Sequence, residues 1–141
     1  MATRIGGIFL DTGMLYRAVT VASGRAGLSP SDGAALAALA GRLDIQFRPP
    51  SVDDGRSGDV IVDGEDVTTS LRGAAVDAAV SEVAAHPGVR SALLRAQREA
   101  AKSGRVVMVG RDIATVVVPD ASVKIYLDAS LRERARRRYA E

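Results

Sequence analysis

Asp11-Thr12-Gly13 stands between a short apolar run, Ile8-Phe9-Leu10, and a segment whose apolar residues Leu15, Ala18, Val19 and Ala22 recur at helical spacing. A strand that turns through a glycine into a helix start presents free backbone N–H groups and the positive end of the helix dipole, which together favour an anion. Arg17 lies about one turn further along and offers a planar donor fork for a phosphate. By local pattern alone, a plain helix cap followed by a solvated arginine explains these residues as well. A second group is Gly110-Arg111-Asp112, directly after the apolar run Val106–Val109. Glycine lets a backbone come close to a ligand, the arginine donates and the aspartate accepts; a loop ion pair is the competing explanation.

Two further groups are less specific. Ser81 and Arg90 flank His86-Pro87 on neighbouring predicted helices, and either fits a surface position. His86, the sole histidine, reads as a helix-end residue without chemistry. Arg132, Arg134, Arg136, Arg137 and Arg138 spread over much of a helix surface, so a solvated face accounts for them, with a phosphate-facing subset as the alternative.

The elements that must position these residues follow from capping and periodicity. Met1 to Gly7 reads as the last turn of a helix closed by glycines. Helices are predicted from Met14 to about Arg25, from the Ser29-Pro30-Ser31-Asp32 start to about Leu43, from Ala74 to Ala85, from Pro87 to about Lys102, and from near Ser130 onward. Ile45-Gln46-Phe47 alternates like a strand, and Pro49 to Gly58 is a loop. Val60-Ile61-Val62, Asp63-Gly64 and Glu65 to Thr68 read as a hairpin, because Asp-Gly suits the positive φ angles of a type I′ turn. The runs 8–10, 106–109 and 123–127 are predicted buried parallel strands, the first two separated by helices. Ligands of open parallel sheets sit beyond the carboxyl ends of the strands. If the three are neighbours, Asp11-Thr12, Gly110-Arg111-Asp112 and Asp128 share one crevice.

Composition bounds the rest. A chain of 141 residues is one domain with room for a core, and nearly half its residues are apolar. With two Phe, three Tyr and no Trp, that core is aliphatic. The absence of cysteine excludes disulfides and thiolate metal sites. The net charge of +2 gives little reason to expect a nucleic-acid partner. No targeting segment or membrane-length apolar run is apparent, so a soluble, cytoplasmic protein is expected.

The segments LDTGMLYRAVT, DVIVDGEDVTTSLR, VSEVAAHPGVRSALLRAQRE and VVMVGRDIATVVVPDASVKIYLDAS resemble bacterial cytidylate kinases, in order and at about the right separations over nearly the whole chain. The GEDVT hairpin resembles the insert that sets these kinases apart from shorter nucleoside-monophosphate kinases. The resemblance implies an α/β fold: a partial P-loop nucleoside-monophosphate-kinase fold with parallel core strands and a small β-containing insert. Residues 1–43 and 103–141 would be partial kinase core and residues 44–102 the monophosphate-binding insert. It implies transfer of the ATP γ-phosphoryl to CMP or dCMP with Mg²⁺, and it puts Thr12, Arg17, Ser81, Arg90, Arg111 and Asp112 at the CMP site. Asp112 would accept from the cytosine amino group, Arg90 and Ser81 would donate to the acceptor edge, and Arg17 and Arg111 would neutralise the 5′-phosphate. Val109 stands where the family often has an acidic residue, and Ala114 where glycine is common.

The motif GxxxxGK[ST] is absent from these 141 residues, as are the lid and the protein ligands for Mg²⁺. The expectation is therefore a chain truncated at both ends, carrying mainly the CMP-binding half and inactive or weakly active alone. Two other functions fit the sequence: a non-catalytic nucleotide-binding or regulatory module, and an RNA-binding protein using the arginine-rich last helix. The second lacks an aromatic stacking platform.

Overall fold

The computed structural model describes residues 1–102 and 104–140, without the side chains of Thr3, Arg138 and Ala140. A 3-10 turn at Thr3–Ile5 is closed by Gly6 with φ of 60° and by Gly7 N–H donating to the Ala2 carbonyl. Strand β1 (Ile8–Asp11) then leads directly into helix α1 (Thr12–Arg25). Asp11 is the N-cap, its carboxylate accepting from Gly13 N–H over 2.9 Å. Asp32 starts α2 (Gly33–Arg42) in the same way, through Ala35 N–H. An aspartate at each start satisfies one of the N–H groups that a first helical turn leaves without a partner.

The chain next builds an antiparallel sheet from β2 (Ile45–Arg48), β3 (Asp59–Val62) and β4 (Glu65–Asp66), in the order β2-β3-β4. The last two are joined by Asp63-Gly64, with φ angles of 49° and 85°. Both are positive, as a type I′ turn demands, and the hairpin is the one the Asp-Gly pair predicts. Helices α3 (Ala74–Ala85) and α4 (Pro87–Lys102) follow, then β5 (Val106–Val109), which lies parallel to β1 with Ile8 opposite Val106 and Asp11 opposite Val109. A second 3-10 turn (Ser70–Arg72) precedes α3, and a π-helical turn (Ile113–Val117) and α5 (Leu131–Ala140) follow β5.

Two apolar clusters hold the layers together. Leu10 of β1, Leu15 and Val19 of α1, Leu36 of α2, Val83 of α3, and Val89 and Leu93 of α4 form the larger one. The smaller joins Ala18 of α1 to Val60, Val62, Val67 and Leu71 of the antiparallel unit. Helix α1 therefore belongs to both clusters, with Arg17 beside the seam. Each fully buried Leu or Val contributes about 1.5–3 kcal/mol relative to exposure, so α1 is strongly held. It transmits the position of the antiparallel insert to the end of β1.

The third parallel strand is not formed. Residues 123–127 take no strand partner among the described residues, and Val123, Ile125, Tyr126 and Leu127 are exposed. The Lys124 ammonium turns back to the Pro119 carbonyl instead. Alternating β-branched residues favour an extended backbone, but a strand is completed only by a neighbour's ladder of hydrogen bonds, and among the described residues β5 pairs only with β1. Helix α5 is exposed at Arg132, Arg134, Arg136 and Arg137, in keeping with a solvated face.

Candidate functional site

The two parallel strands end side by side, and one hydroxyl joins the ends. Thr12 is buried and donates from Oγ1 to the Val109 carbonyl over 3.1 Å. Gly110 follows at once, and a Cβ there would strike Thr12 Oγ1 and the Ile113 side chain. Glycine is thus required by close packing, and the approach carries Arg111 and Asp112 out over the end of β1.

The chain beyond Asp112 is held firmly. The Asp112 carbonyl accepts from Val116 and Val117 N–H, closing the π turn, and Arg98 of α4 donates to the Val116 and Val117 carbonyls at 2.9 and 3.2 Å. π turns recur at functional sites because they re-aim a backbone within a helical path. Arg90, in the first turn of α4, approaches Asp112 with Nη2 3.3 Å from Oδ2. Arg111 is exposed and makes no hydrogen bond or ion pair among the described residues. A carboxylate, a guanidinium and an unpaired guanidinium therefore face solvent at one strand end.

Arg17 and Ser81 belong to a neighbouring group. Arg17 Nη1 donates to the Leu71 carbonyl over 2.7 Å and lies 2.7 Å from Asp77 Oδ1. Ser81 is exposed, one turn beyond Asp77 on the same face of α3. Both groups depend on α1, which begins with Thr12 and carries Arg17 five residues on, about 7.5 Å along its axis. Of the six residues singled out in the sequence, Thr12, Arg90, Arg111 and Asp112 meet at the strand ends, while Arg17 and Ser81 lie on the facing helices α1 and α3. The Thr12 hydroxyl serves the backbone that joins the strands. Asp128 is not brought to the crevice by a third strand, since none forms; its carboxylate accepts from Ala129 N–H over 2.7 Å. His86 is the C-cap of α3, and its Nε2 shares a 2.8 Å hydrogen bond with the Pro30 carbonyl, a structural role.

Asp77 was not singled out by sequence reasoning. Its signal was available: it stands four residues before Ser81 on a predicted helix. An ion-pair network in the 49–58 loop was missed as well. Arg56 packs its Nε and Nη2 against Asp54 at 2.6–2.9 Å and its Nη1 against Asp59 at 3.1 Å. Asp59 Oδ2 also accepts from Ser51 N–H. The Arg56 hydrogen bonds pull the Asp54 carboxyl down to about 2, and Asp54, with Asp59, raises the Arg56 guanidinium above its usual value. Ser51 and Arg56 lower Asp59 against the opposing effect of burial. This network folds the loop over a cavity of about 290 Å³ between the insert and the start of α1, lined among others by Phe9, Asp11, Met14, Phe47 and Arg72. None of the six residues singled out lines it.

Parallel strands with polar loops at their carboxyl ends, crossed by helices and joined to a small antiparallel insert, define a partial P-loop nucleoside-monophosphate-kinase fold. The family model for cytidylate kinase matches residues 1–141, and the chain belongs to that family. It is 52% identical over 141 residues to the cytidylate kinase of Chloroflexus aggregans and 51% over 142 residues to that of Roseiflexus castenholzii, covering 100% of this chain and 61% of each relative. The cytidylate kinase of Geobacter sulfurreducens is 46% identical over 141 residues, 59% of its length. The chain thus spans about three fifths of the length of the curated relatives it matches. Among the described residues no helix is long and apolar enough to cross a membrane.

Proposed function

We propose that these 141 residues form the acceptor side of a kinase that transfers the γ-phosphoryl of ATP to CMP or dCMP. The observation that carries this reading is the Arg90–Asp112 pair beside the unpaired Arg111, at the end of the parallel strands of a cytidylate kinase family chain. Cytosine presents an amino donor next to N3 and O2 acceptors. Asp112 accepts from the amino group while Arg90, with Ser81, donates to the acceptor edge. Uracil presents the opposite order, an acceptor where cytosine has its donor, and would set an oxygen against the Asp112 carboxylate. Arg17 and Arg111 take the 5′-phosphate, neutralising it and holding it for in-line attack, since phosphoryl transfer is catalysed mainly by positioning and charge stabilisation. Thr12 keeps the two strand ends together beneath the nucleotide. In this reading residues 1–43 and 103–141 are kinase core and residues 44–102 the monophosphate-binding insert, with α1 the joint between them.

ATP and Mg²⁺ enter through the family. Among the described residues no three carboxylate or imidazole groups converge, and no step is assigned to a metal here.

The test is calorimetric titration with CMP and with UMP. CMP should bind more tightly than UMP, and Asp112→Ala should remove most of that preference. Equal affinities for the two nucleotides in the unmodified chain would reject the base-reading assignment.

A further inference from the structure

We propose that Asp77 is a positioning residue: it holds the Arg17 guanidinium by one nitrogen and turns the opposite edge toward the phosphate of the acceptor nucleotide. This rests on the reading of the acceptor site given above and adds to it a residue outside the six.

Arg17 Nη1 donates to the Leu71 carbonyl over 2.7 Å and forms an ion pair with the Asp77 carboxylate, whose Oδ1 lies 2.7 Å away. Nε and Nη2 have no partner among the described residues, and together they form the side-on edge with which a guanidinium grips an oxyanion through two parallel hydrogen bonds. A carboxylate acting as a plug would occupy that edge, whereas Asp77 leaves it free.

Both anchors are rigid. Leu71 is a member of the smaller core cluster and is 1% exposed, so its carbonyl has a set place. Asp77 lies in the first turn of α3, where the helix dipole favours a carboxylate. The Arg17 side chain is only 24% exposed against 42% for Asp77, so the long arm is already packed. An unrestrained arginine loses much rotamer freedom when it binds, and a pre-oriented fork loses less. Ser81 lies one turn from Asp77 on the same face of α3. That face therefore sets both the orientation of Arg17 and the position of the hydroxyl assigned to the base.

The experiment titrates CMP and cytidine into the unmodified chain, Asp77→Ala, Asp77→Asn and Arg17→Ala. With the clamp removed, Asp77→Ala should bind CMP about tenfold more weakly and cytidine unchanged, because only the phosphate contact is disturbed. Asp77→Asn keeps an acceptor oxygen and should recover most of the loss. Without nucleotide, nitrogen-15 NMR should show slowed rotation of the Arg17 guanidinium in the unmodified chain and faster rotation in Asp77→Ala, where only the Leu71 carbonyl still holds it. Tighter CMP binding by Asp77→Ala would show that Asp77 competes with phosphate, and unchanged binding would show that it does nothing; either overturns the proposal. Loss of cytidine binding along with CMP would overturn it as general damage to the fold. Failure of the unmodified chain to bind CMP would remove the acceptor-site reading itself, and this inference with it.

Discussion

Replacing Gly110 with alanine adds one methyl group at the point where both parallel strands end. At an open site with negative φ, such a change stabilises by about 0.4–1 kcal/mol, because alanine restricts the unfolded chain. Here the sign reverses. The new Cβ would meet Thr12 Oγ1 and Ile113 Cδ1 at separations that real Cβ atoms do not show, with Ile113 Cγ1 also tight. Forced overpacking costs about 1–3 kcal/mol, and displacing Thr12 from the Val109 carbonyl adds about 1 kcal/mol. After the alanine gain is subtracted, a net loss of about 2 kcal/mol is expected, a fall in Tm of roughly 6 °C for a chain of this size. The assay is thermal unfolding followed by circular dichroism, with two companions. Thr12→Ala removes the oxygen that the methyl group strikes, so the double variant should lose about 1 kcal/mol less than the sum of the single ones. Gly24→Ala, in α1 with no heavy atom within 4 Å of the added carbon, should raise stability by up to about 1 kcal/mol. If Gly110→Ala raised Tm as Gly24→Ala does, the close approach of the two strand ends would be refuted.

Other outcomes follow from the same packing and charge. Leu93→Ala, at 1% exposure in the larger core cluster, should cost about 2–5 kcal/mol. Leu127→Ala, at 87% exposure, should change the unfolding free energy from urea titration by no more than about 0.5 kcal/mol; a large effect there would show that residues 123–127 are packed after all. Asp54 has a folded pKa of about 2 against an ordinary 3.8, so its support of the 49–58 loop is complete above about pH 4 and disappears as pH falls through about 2. Carboxyl NMR titration should give a midpoint near 2 for Asp54, returning to the ordinary value in Arg56→Ala. Arg25→Ala breaks an exposed two-bond pair with Glu65 and should cost less than about 1 kcal/mol by denaturant titration, because solvent screens it.

What the sequence made legible is what local chemistry decides. Asp11 and Asp32 precede apolar periodic runs, and both cap helices. Asp63-Gly64 can make only a narrow set of turns, and the hairpin follows it. The parallel pairing of β1 with β5 was reachable because helical segments separate the two runs. Residues 123–127 are rich in apolar residues like Val106–Val109, but a strand is a property of two segments, and the pattern of one does not supply the other. The site divides in the same way. Gly110-Arg111-Asp112 announces itself as a contiguous motif, whereas its pairing with Arg90 of α4 arises only in the folded chain. The contact between Arg17 and Asp77 links residues sixty positions apart through the packing of α1 on α3. Nothing in either segment alone calls for it, although the four-residue step to Ser81 marked the helix face. The Asp54–Arg56–Asp59 network was hidden for another reason: in a loop rich in Pro, Ser, Asp and Gly, charged residues look solvated, yet Asp59 is buried with only 5% of its side chain exposed.

The central claim is that the carboxyl ends of β1 and β5, with the facing sides of α1, α3 and α4, form a site for a cytidine monophosphate. The most direct test is a map of backbone NMR shifts as CMP is added to the chain. The account predicts saturable changes concentrated at residues 11–17, 77–81, 90 and 110–113, fading in Arg111→Ala. Saturable changes confined to α5 or to the cavity under the 49–58 loop, or no changes in a folded chain at millimolar CMP, would contradict it.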